Sequence, residues 1–249
     1  MSDVVGDPVL GLLAERYGTG ARRREIPPEP DGVVRAMPVV LRIERDPLPG
    51  RTPLLEAAAT AAVAVCLDPR AQPGGEWHDA VETWIDGRIR KIARRARGAH
   101  WRAVQDLPGV TVEVGGAEAR ALLPGPVDDV PKTVSRLQIG GTELEPDDPG
   151  APPADTPLVL LNPHVEMSVG KAAAQVGHAT MILGAVGGWP VAEEPGVPRC
   201  AVRTPRPADW ERYRTALERG EPGLVAVRDA GFTEVAPGTV TCLGVEHPG

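Results

Sequence analysis

Residues 169–186, V-G-K-A-A-A-Q-V-G-H-A-T-M-I-L-G-A-V, read as one helix built of small residues. Its polar side chains do not scatter. Lys171, Gln175 and His178 stand at i, i+4 and i+7 and so share a face. Ala173, Gly177, Thr180 and Gly184 form a second face, nearly free of bulk, along which the helix can press close against a sheet. Ala172, Val176, Ala179 and Leu183 supply an apolar stripe beside it. A buried helix with one ordered polar line suggests a site; the same periodicity also suits a core helix with a solvated edge.

The flanking sequence gives this helix its setting. Pro157 to Asn162 is an apolar strand leading into it. Cys200 to Arg203 is a second strand, Pro207 to Arg219 a helix with Asp209 near its start, Gly223 to Arg228 a third strand and Val240 to Val245 a fourth. The order β-α-β-α-β-β predicts a three-layer α/β/α fold around a mixed, mostly parallel four-stranded sheet, with an antiparallel closing pair. Sites in open α/β sheets form outside the carboxyl ends of strands. The run D-A-G-F-T-E-V-A-P-G-T, Asp229 to Thr239, lies there, close to where the helix begins. Gly231 lets the chain turn sharply between Asp229 and Thr233. An acid, a hydroxyl and a lysine converging in this way can orient a water against an ester carbonyl. The other reading is an Asx-type turn in which Asp229 bonds only local backbone.

Taken together, G-K-A-A-A-Q-V-G-H-A and the later D-A-G-F-T-E-V-A-P-G-T-V-T resemble the type-two peptidyl-tRNA hydrolase family. The upstream N-P-H-V-E-M-S-V-G-K, Asn162 to Lys171, is similar too, in its Met167-Ser168 and Gly170-Lys171 spacing. The resemblance covers about residues 157 to 246. It implies an esterase without metal or cofactor that frees tRNA from a prematurely released peptide. The family's functional lysine, aspartate and threonine fall on Lys171, Asp229 and Thr233. Asp229 would orient or deprotonate the attacking water, Lys171 would stabilise developing negative charge or hold a terminal phosphate, and Thr233 would relay a hydrogen bond between water and Asp229. Gly170, Gln175, His178 and Gly231 also match, as support. Two departures stand out. Phe232 occupies a position where family members carry Arg or another polar residue. The chain stops at Gly249, soon after the fourth strand, where the family adds a terminal helix, so another segment must cover that side of the sheet. The alternative to an enzyme is a non-catalytic RNA-binding or regulatory module that kept the fold. A hydrolase of some other acyl ester is a third reading.

Composition sets the outer bounds. A 42% hydrophobic fraction and five Trp point to a folded body, and 28 Pro with 29 Gly to several loops or linkers. The formal net charge is −7, so any nucleic-acid contact depends on a local basic patch. Cys66, Cys200 and Cys242 have no C-x-x-C spacing and suit a reducing cytosol. The N-terminus lacks the order of a signal peptide, and no apolar run reaches the roughly 18 residues that span a membrane. The expectation is a soluble, cytoplasmic protein.

Ahead of this region, residues 1–36 read as a flexible extension carrying a short amphipathic helix, Pro8 to Tyr17, and the basic triplet Arg22-Arg23-Arg24. Pro38 to Arg45 reads as a strand. Leu54 to Leu67, almost wholly apolar, reads as a buried helix that Thr52 can cap, with Pro53 in its first turn. Trp77 to Ile85 is a further helix. Gly87 to Gln105 is either one long basic helix or a strand (Ile89 to Arg95) with a short helix (Ala99 to Gln105). Val110 to Val114 is a strand, and another is expected around Ser135 to Ile139. Residues 145–156, proline-rich and acidic, read as the linker between a domain of residues 37–144 and one of residues 157–249.

The first domain echoes the second. Lys91 to Trp101 set against Cys200 to Trp210 pairs Arg94 with Arg203, Arg97 with Arg206 and Trp101 with Trp210. Gly109 to Val127 parallels Gly223 to Val240, both ending in P-G-x-V. The Leu54 to Leu67 helix mirrors the 169–186 helix, with Glu56 at the lysine position and Gly115 near the aspartate position. Residues 37–127 therefore read as a degenerate copy, duplicated in tandem, that cannot do the same chemistry; the other reading is chance similarity between two Ala/Arg/Gly-rich stretches. Such a copy can take the place of a homodimer partner; the sequence does not decide oligomeric state. Arg88, Arg90, Lys91, Arg94, Arg95, Arg97 and Arg102 concentrate positive charge, with tRNA phosphates as the natural partner. Pairing with acidic neighbours is the competing reading.

Overall fold

The computed structural model describes residues 8–17, 29, 31–140, 143–191, 199–231 and 234–246. Arg22-Arg23-Arg24, Phe232 and Thr233 lie outside the described residues.

In the first half, helix α1 (Pro8–Tyr17) precedes strand β1 (Arg35–Arg42), helix α2 (Arg51–Leu67), helix α3 (His78–Asp86), strand β2 (Lys91–Ala96) and helix α4 (Gly98–Val104). Strands β3 (Gly109–Val114) and β4 (Ala117–Leu122), the two-residue strand β5 (Gly125–Pro126) and the short helix α5 (Lys132–Ser135) follow. The basic segment is thus helix, strand and helix, broken by Gly87 after α3 and Gly98 at the start of α4. Alternation along β1 sends Met37, Val39 and Leu41 into one core and Val40 into another. Pro38, with no N–H to donate, falls in the gap between the β4 and β5 ladders on that side of β1.

The second half runs β6 (Leu158–Leu161), α6 (Val169–Gly187), β7 (Ala201–Arg203), α7 (Pro207–Glu218), β8 (Leu224–Arg228) and β9 (Val240–Val245). The α/β fold and the mixed sheet are as expected. The pairing corrects one point: β6–β7 is parallel, whereas β6–β9 and β8–β9 are antiparallel. Three of the strands do run the same way. The odd one, β9, inserts between β6 and β8 and turns both of its pairings antiparallel.

The first sheet, ordered β2-β1-β4-β3, repeats the second, β7-β6-β9-β8, strand for strand in order and direction. Two earlier readings fall here. The stretch after Ala117, set against the Asp229 loop, is instead β4, the counterpart of β9. In the first half a two-residue turn, Gly115-Gly116, joins the hairpin, so an ungapped comparison slides past the missing loop. The sequence A-E-A-R-A-L has weak strand propensity and becomes a strand because β1 and β3 pair with it on both edges. The strand expected around Ser135 to Ile139 is helix α5 and one isolated bridge, Arg95 to Gln138. Pro131 turns the chain there, its carbonyl accepting from the Val134 and Ser135 amides.

Helices α2 and α6 lie between the two sheets, packed directly on each other. Their small residues permit this: a side chain at Gly177 would begin 3.0 Å from Ala62 Cβ. The sequence pairing that sets Glu56 against Lys171 also sets Ala62 against Gly177, so equivalent positions meet where the helices touch. A single buried cluster runs from Val39 and Leu54 through Val176 and Leu183 to Val225. On the outer faces, Trp101 of α4 fills a small core over the first sheet and Trp210 of α7 one over the second. Each fully buried aliphatic or aromatic side chain in such a core contributes roughly 1.5–3 kcal/mol.

Two segments read as loose are held. Helix α1 buries Val9, Leu10 and Leu13 against the central helices, because its apolar stripe closes the face of α6 that α2 leaves open. In the 145–156 linker, Asp147 accepts hydrogen bonds from the Thr52 amide (2.9 Å) and hydroxyl (2.5 Å). The linker therefore caps α2, which begins after Gly50, and Thr52 is not the cap.

Candidate active site

Helix α6 begins at a built N-terminus. Ser168 caps it, its hydroxyl accepting from the Lys171 amide at 3.2 Å. Glu234 holds Ser168 in turn, accepting from its amide (3.0 Å) and hydroxyl (2.7 Å). Glu143 accepts from the Val169 amide at 3.1 Å, and Arg51 donates to the Met167 carbonyl at 3.0 Å. Two carboxylates at the positive end of a helix are electrostatically matched to it. They also tie the start of α6 to the turn after β8 and to the first half.

This anchoring sets Lys171 in the first turn against the end of β8. Asp229 follows β8 and is buried, with 7% of its surface exposed. Its Oδ2 accepts from Lys171 Nζ and, at 2.8 Å, from Gln175 Nε2. Its Oδ1 accepts from the Gly231 amide at 2.8 Å. The local turn expected of Asp229 is therefore present together with the ion pair to Lys171. Backbone bonds fix the residue itself: the Asp229 amide donates to the Thr239 carbonyl at 2.9 Å, and the Asp229 carbonyl accepts from the Gly238 amide at 2.7 Å. Gly231 has φ +81°, and a Cβ there would lie 2.4 Å from the Pro237 ring, so no other residue fits.

Behind the pair, Gln175 is buried and its amide is locked at both ends. While Nε2 donates to Asp229, Oε1 accepts from the fully buried Thr241 hydroxyl at 2.6 Å. Gln175 thus touches the carboxylate itself. His178 does not join the group. One turn further along α6 it faces the first half, its Nδ1 3.2 Å from Lys91 Nζ. Burial, then the charges of Lys91 and Lys171, hold its pKa well below the usual value, so the ring is neutral. Gly170 lies against β2, where a Cβ would meet Ala93 at 3.5 Å. Thr233 is outside the described residues.

Sequence reasoning gave no role to Glu234, Thr241, Glu143 or Arg51. Glu234 stands inside the D-A-G-F-T-E motif, so its motif was visible without its partner. Thr241 left one signal, a hydroxyl on an otherwise apolar strand.

The basic run of the first half is divided by strand alternation. Arg94 turns to the outer face and donates to the Ser135 and Leu137 carbonyls at 3.2 and 3.0 Å. Arg90 pairs with Glu29. Lys91 points inward, 5.1 Å over the Trp84 ring, and burial pushes its ammonium down to about 7 although part of its stem is exposed. Arg88 and Arg95 are half-buried, whereas Arg97 and Arg102 are exposed. No single surface carries all of them.

Among the described residues no three His, Cys, Asp or Glu side chains stand together as a metal site, and no helix is long and apolar enough to cross a membrane. A buried ion pair at a helix N-terminus, with its carboxylate held by a backbone amide and a fixed side-chain amide, is a preorganised polar centre. It can orient a water on the carboxylate and stabilise an oxyanion beside the ammonium.

Comparison with known proteins bears on the same residues. The family model described as Peptidyl-tRNA hydrolase PTH2 matches residues 157–248. A peptidyl-tRNA hydrolase of Methanopyrus kandleri is 36% identical over 94 residues, covering 35% of this chain and 80% of that protein. Those of Sulfolobus acidocaldarius (33% over 99 residues, 35% and 82% covered) and Sulfurisphaera tokodaii (31% over 102 residues, 35% and 81% covered) align over similar lengths. Through its second half, the chain belongs to the peptidyl-tRNA hydrolase PTH2 family.

Proposed function

We propose that the protein hydrolyses the ester bond of peptidyl-tRNA, releasing tRNA and peptide, with Lys171, Asp229 and Thr233 as its catalytic residues. The observation that carries this reading is the buried Lys171–Asp229 pair, braced by Gln175 at the N-terminus of α6, within the region shared with the named hydrolases. Asp229 orients the attacking water through Oδ1, the oxygen that Lys171 does not engage. Thr233 relays a hydrogen bond between that water and the carboxylate. Lys171, an ammonium with three donors, holds Asp229 and stabilises the charge that develops on the ester carbonyl oxygen. Neither a metal nor a cofactor enters these steps.

Residues 157–249 form the catalytic unit in this reading, and residues 37–144 a non-catalytic copy, the two making a pseudo-dimer within one chain. The repeated strand order supports this. So do the reciprocal contacts of α2 with β7 and α6 with β2. The Gly115-Gly116 turn leaves the first half no loop in which to hold an aspartate like Asp229. A cytoplasmic setting fits three buried cysteines that form no disulfide.

The test is hydrolysis of a model peptidyl-tRNA by the wild type beside Lys171→Ala and Asp229→Asn. Each substitution is expected to lower kcat by roughly 10²–10³-fold, the effect of removing one preorganised charge-stabilising group. Wild-type turnover by Asp229→Asn protein would overturn the assignment.

A further inference from the structure

At the carboxyl ends of β1 and β2 the first half opens into a cleft of about 450 Å³, lined by Arg45, Arg95, Arg97, Arg136, His100 and Leu48 among others. Glu44 is the one carboxylate among the lining residues, and it is engaged, accepting from Arg42 Nε and the Gly98 amide, both at 3.1 Å. Arg45, Arg97 and Arg136 are exposed, and Arg95 donates to the Gln138 side chain at the rim. Four guanidinium groups around one cavity contrast with a chain whose net charge is −7. Leu48, 56% exposed, adds apolar surface to the lining.

The packing of α6 on β2 fixes where this cleft faces. Gly177 lies against Lys91 and Gly170 against Ala93, so helix and strand run in opposite directions. Arg95, two residues beyond Ala93 along β2, therefore lies toward the N-terminal end of α6, the end that carries Lys171. The loop after β1 leads to the same end. It leaves the cleft at Arg45 and Leu48 and reaches Arg51, which bonds the Met167 carbonyl beside the α6 cap. Six residues span at most ~20 Å, so the cleft and the Lys171–Asp229 pair open on one side of the molecule.

We propose that this cleft of the catalytically silent half binds the backbone phosphates of the tRNA acceptor end while the ester occupies the site at Lys171. The proposal rests on the hydrolase reading given above. Several cations spread around one cavity suit a row of phosphates, whereas a single small anion would engage only some of them. Apolar Leu48 at the rim suits the face of a base or sugar. The second half, with Phe232 where the resemblance leads one to expect Arg or another polar residue, then has its RNA contact supplied by the first.

The experiment measures binding of deacylated tRNA by fluorescence anisotropy over a range of salt concentrations, for the wild type, Arg97→Glu/Arg136→Glu and Arg102→Glu. Arg102 is also exposed but does not line the cleft, and so shows what a charge reversal away from the cleft does to binding. The double variant is expected to bind at least tenfold more weakly at low salt. Its log–log salt slope should be shallower by roughly 1–2, since each lost phosphate contact removes about 0.7–0.9. In hydrolysis its KM should rise while kcat at saturation is kept. Unchanged affinity of the double variant, an equal loss in Arg102→Glu, or a lost kcat at unchanged affinity would each overturn the proposal. Because deacylated tRNA is the ligand, a wild type that binds it through these residues yet hydrolyses nothing would refute the hydrolase reading and leave the cleft standing.

Discussion

Glu56 Oε1 accepts from the Arg203 guanidinium at 2.7 Å and from the Val202 amide at 3.1 Å, joining helix α2 of the first half to edge strand β7 of the second. Sequence pairing sets this glutamate against Lys171, so the position that in one half carries the lysine paired with Asp229 in the other holds the two halves together. Both side chains are largely buried. Glu56→Ala removes the carboxylate partner of the Arg203 guanidinium, which keeps only backbone carbonyls, and the acceptor of an edge amide, and is expected to cost about 2–3 kcal/mol in chemical denaturation. Glu56→Gln, which keeps an acceptor for Val202, should cost less. Equal losses would show that the charge has no part in it.

Thr241 touches neither substrate nor Asp229, yet it fixes the amide of Gln175 that does touch Asp229. Thr241→Val keeps the volume and removes the donor, leaving a buried acceptor unsatisfied at a cost of about 1–2 kcal/mol. Loss of alignment at Asp229 should lower kcat by ~10-fold or more, with KM little changed. A change confined to KM would argue against this positioning role.

Gly231 supplies an amide to Asp229 from a left-handed conformation hemmed in by Pro237. Gly231→Ala adds a backbone penalty of about 1–2 kcal/mol and a clash that only movement of the turn relieves. Hydrolysis should fall, and the melting temperature should drop by roughly 2–8 °C. Full activity in Gly231→Ala protein would place the water elsewhere.

The buried contact between Lys91 and His178 makes stability depend on pH. The unfolded chain keeps the Lys91 proton up to its ordinary 10.5, the folded protein only to about 7. Between those values the unfolded state binds more protons, and stability rises with pH. His178, held well below 6.5 when folded, takes up a proton only on unfolding as the pH falls through that value. Stability is therefore lost on the acid side as well. Tm should climb from about pH 6 to pH 8.5. Above about pH 9 the buried Cys200 and Cys242 thiols, both pushed up by burial, act in the opposite sense. Lys91→Met should raise Tm at pH 7 and flatten the climb above it; a variant with the wild-type profile would place the dependence in other groups.

The second half was legible because its elements are local. Apolar runs set β6, β8 and β9, the small-residue period set α6, and a long motif set Asp229 beside Lys171. The first half was harder to read where structure depends on distant partners. Strand β4 is made of poor strand formers and exists through its neighbours. The cap of α2 comes from Asp147, far along the chain. The basic run looked like one patch because a sequence does not show which residues of a strand face inward, and Lys91 and Arg94 prove to be committed to the fold. In the site, Gln175 and His178 share a helix face, but a single turn separates a residue that holds Asp229 from one that holds Lys91.

With α2 and α6 packed on each other between the sheets, neither half owns a complete interior. Removing residues 37–144 would leave the alanine and glycine face of α6 in water, so residues 157–249 are expected to depend on the first half to fold. Two sheets should then melt in one transition. Substitutions that loosen the first half would be felt at Lys171, because the helix that carries it is half of a shared interior.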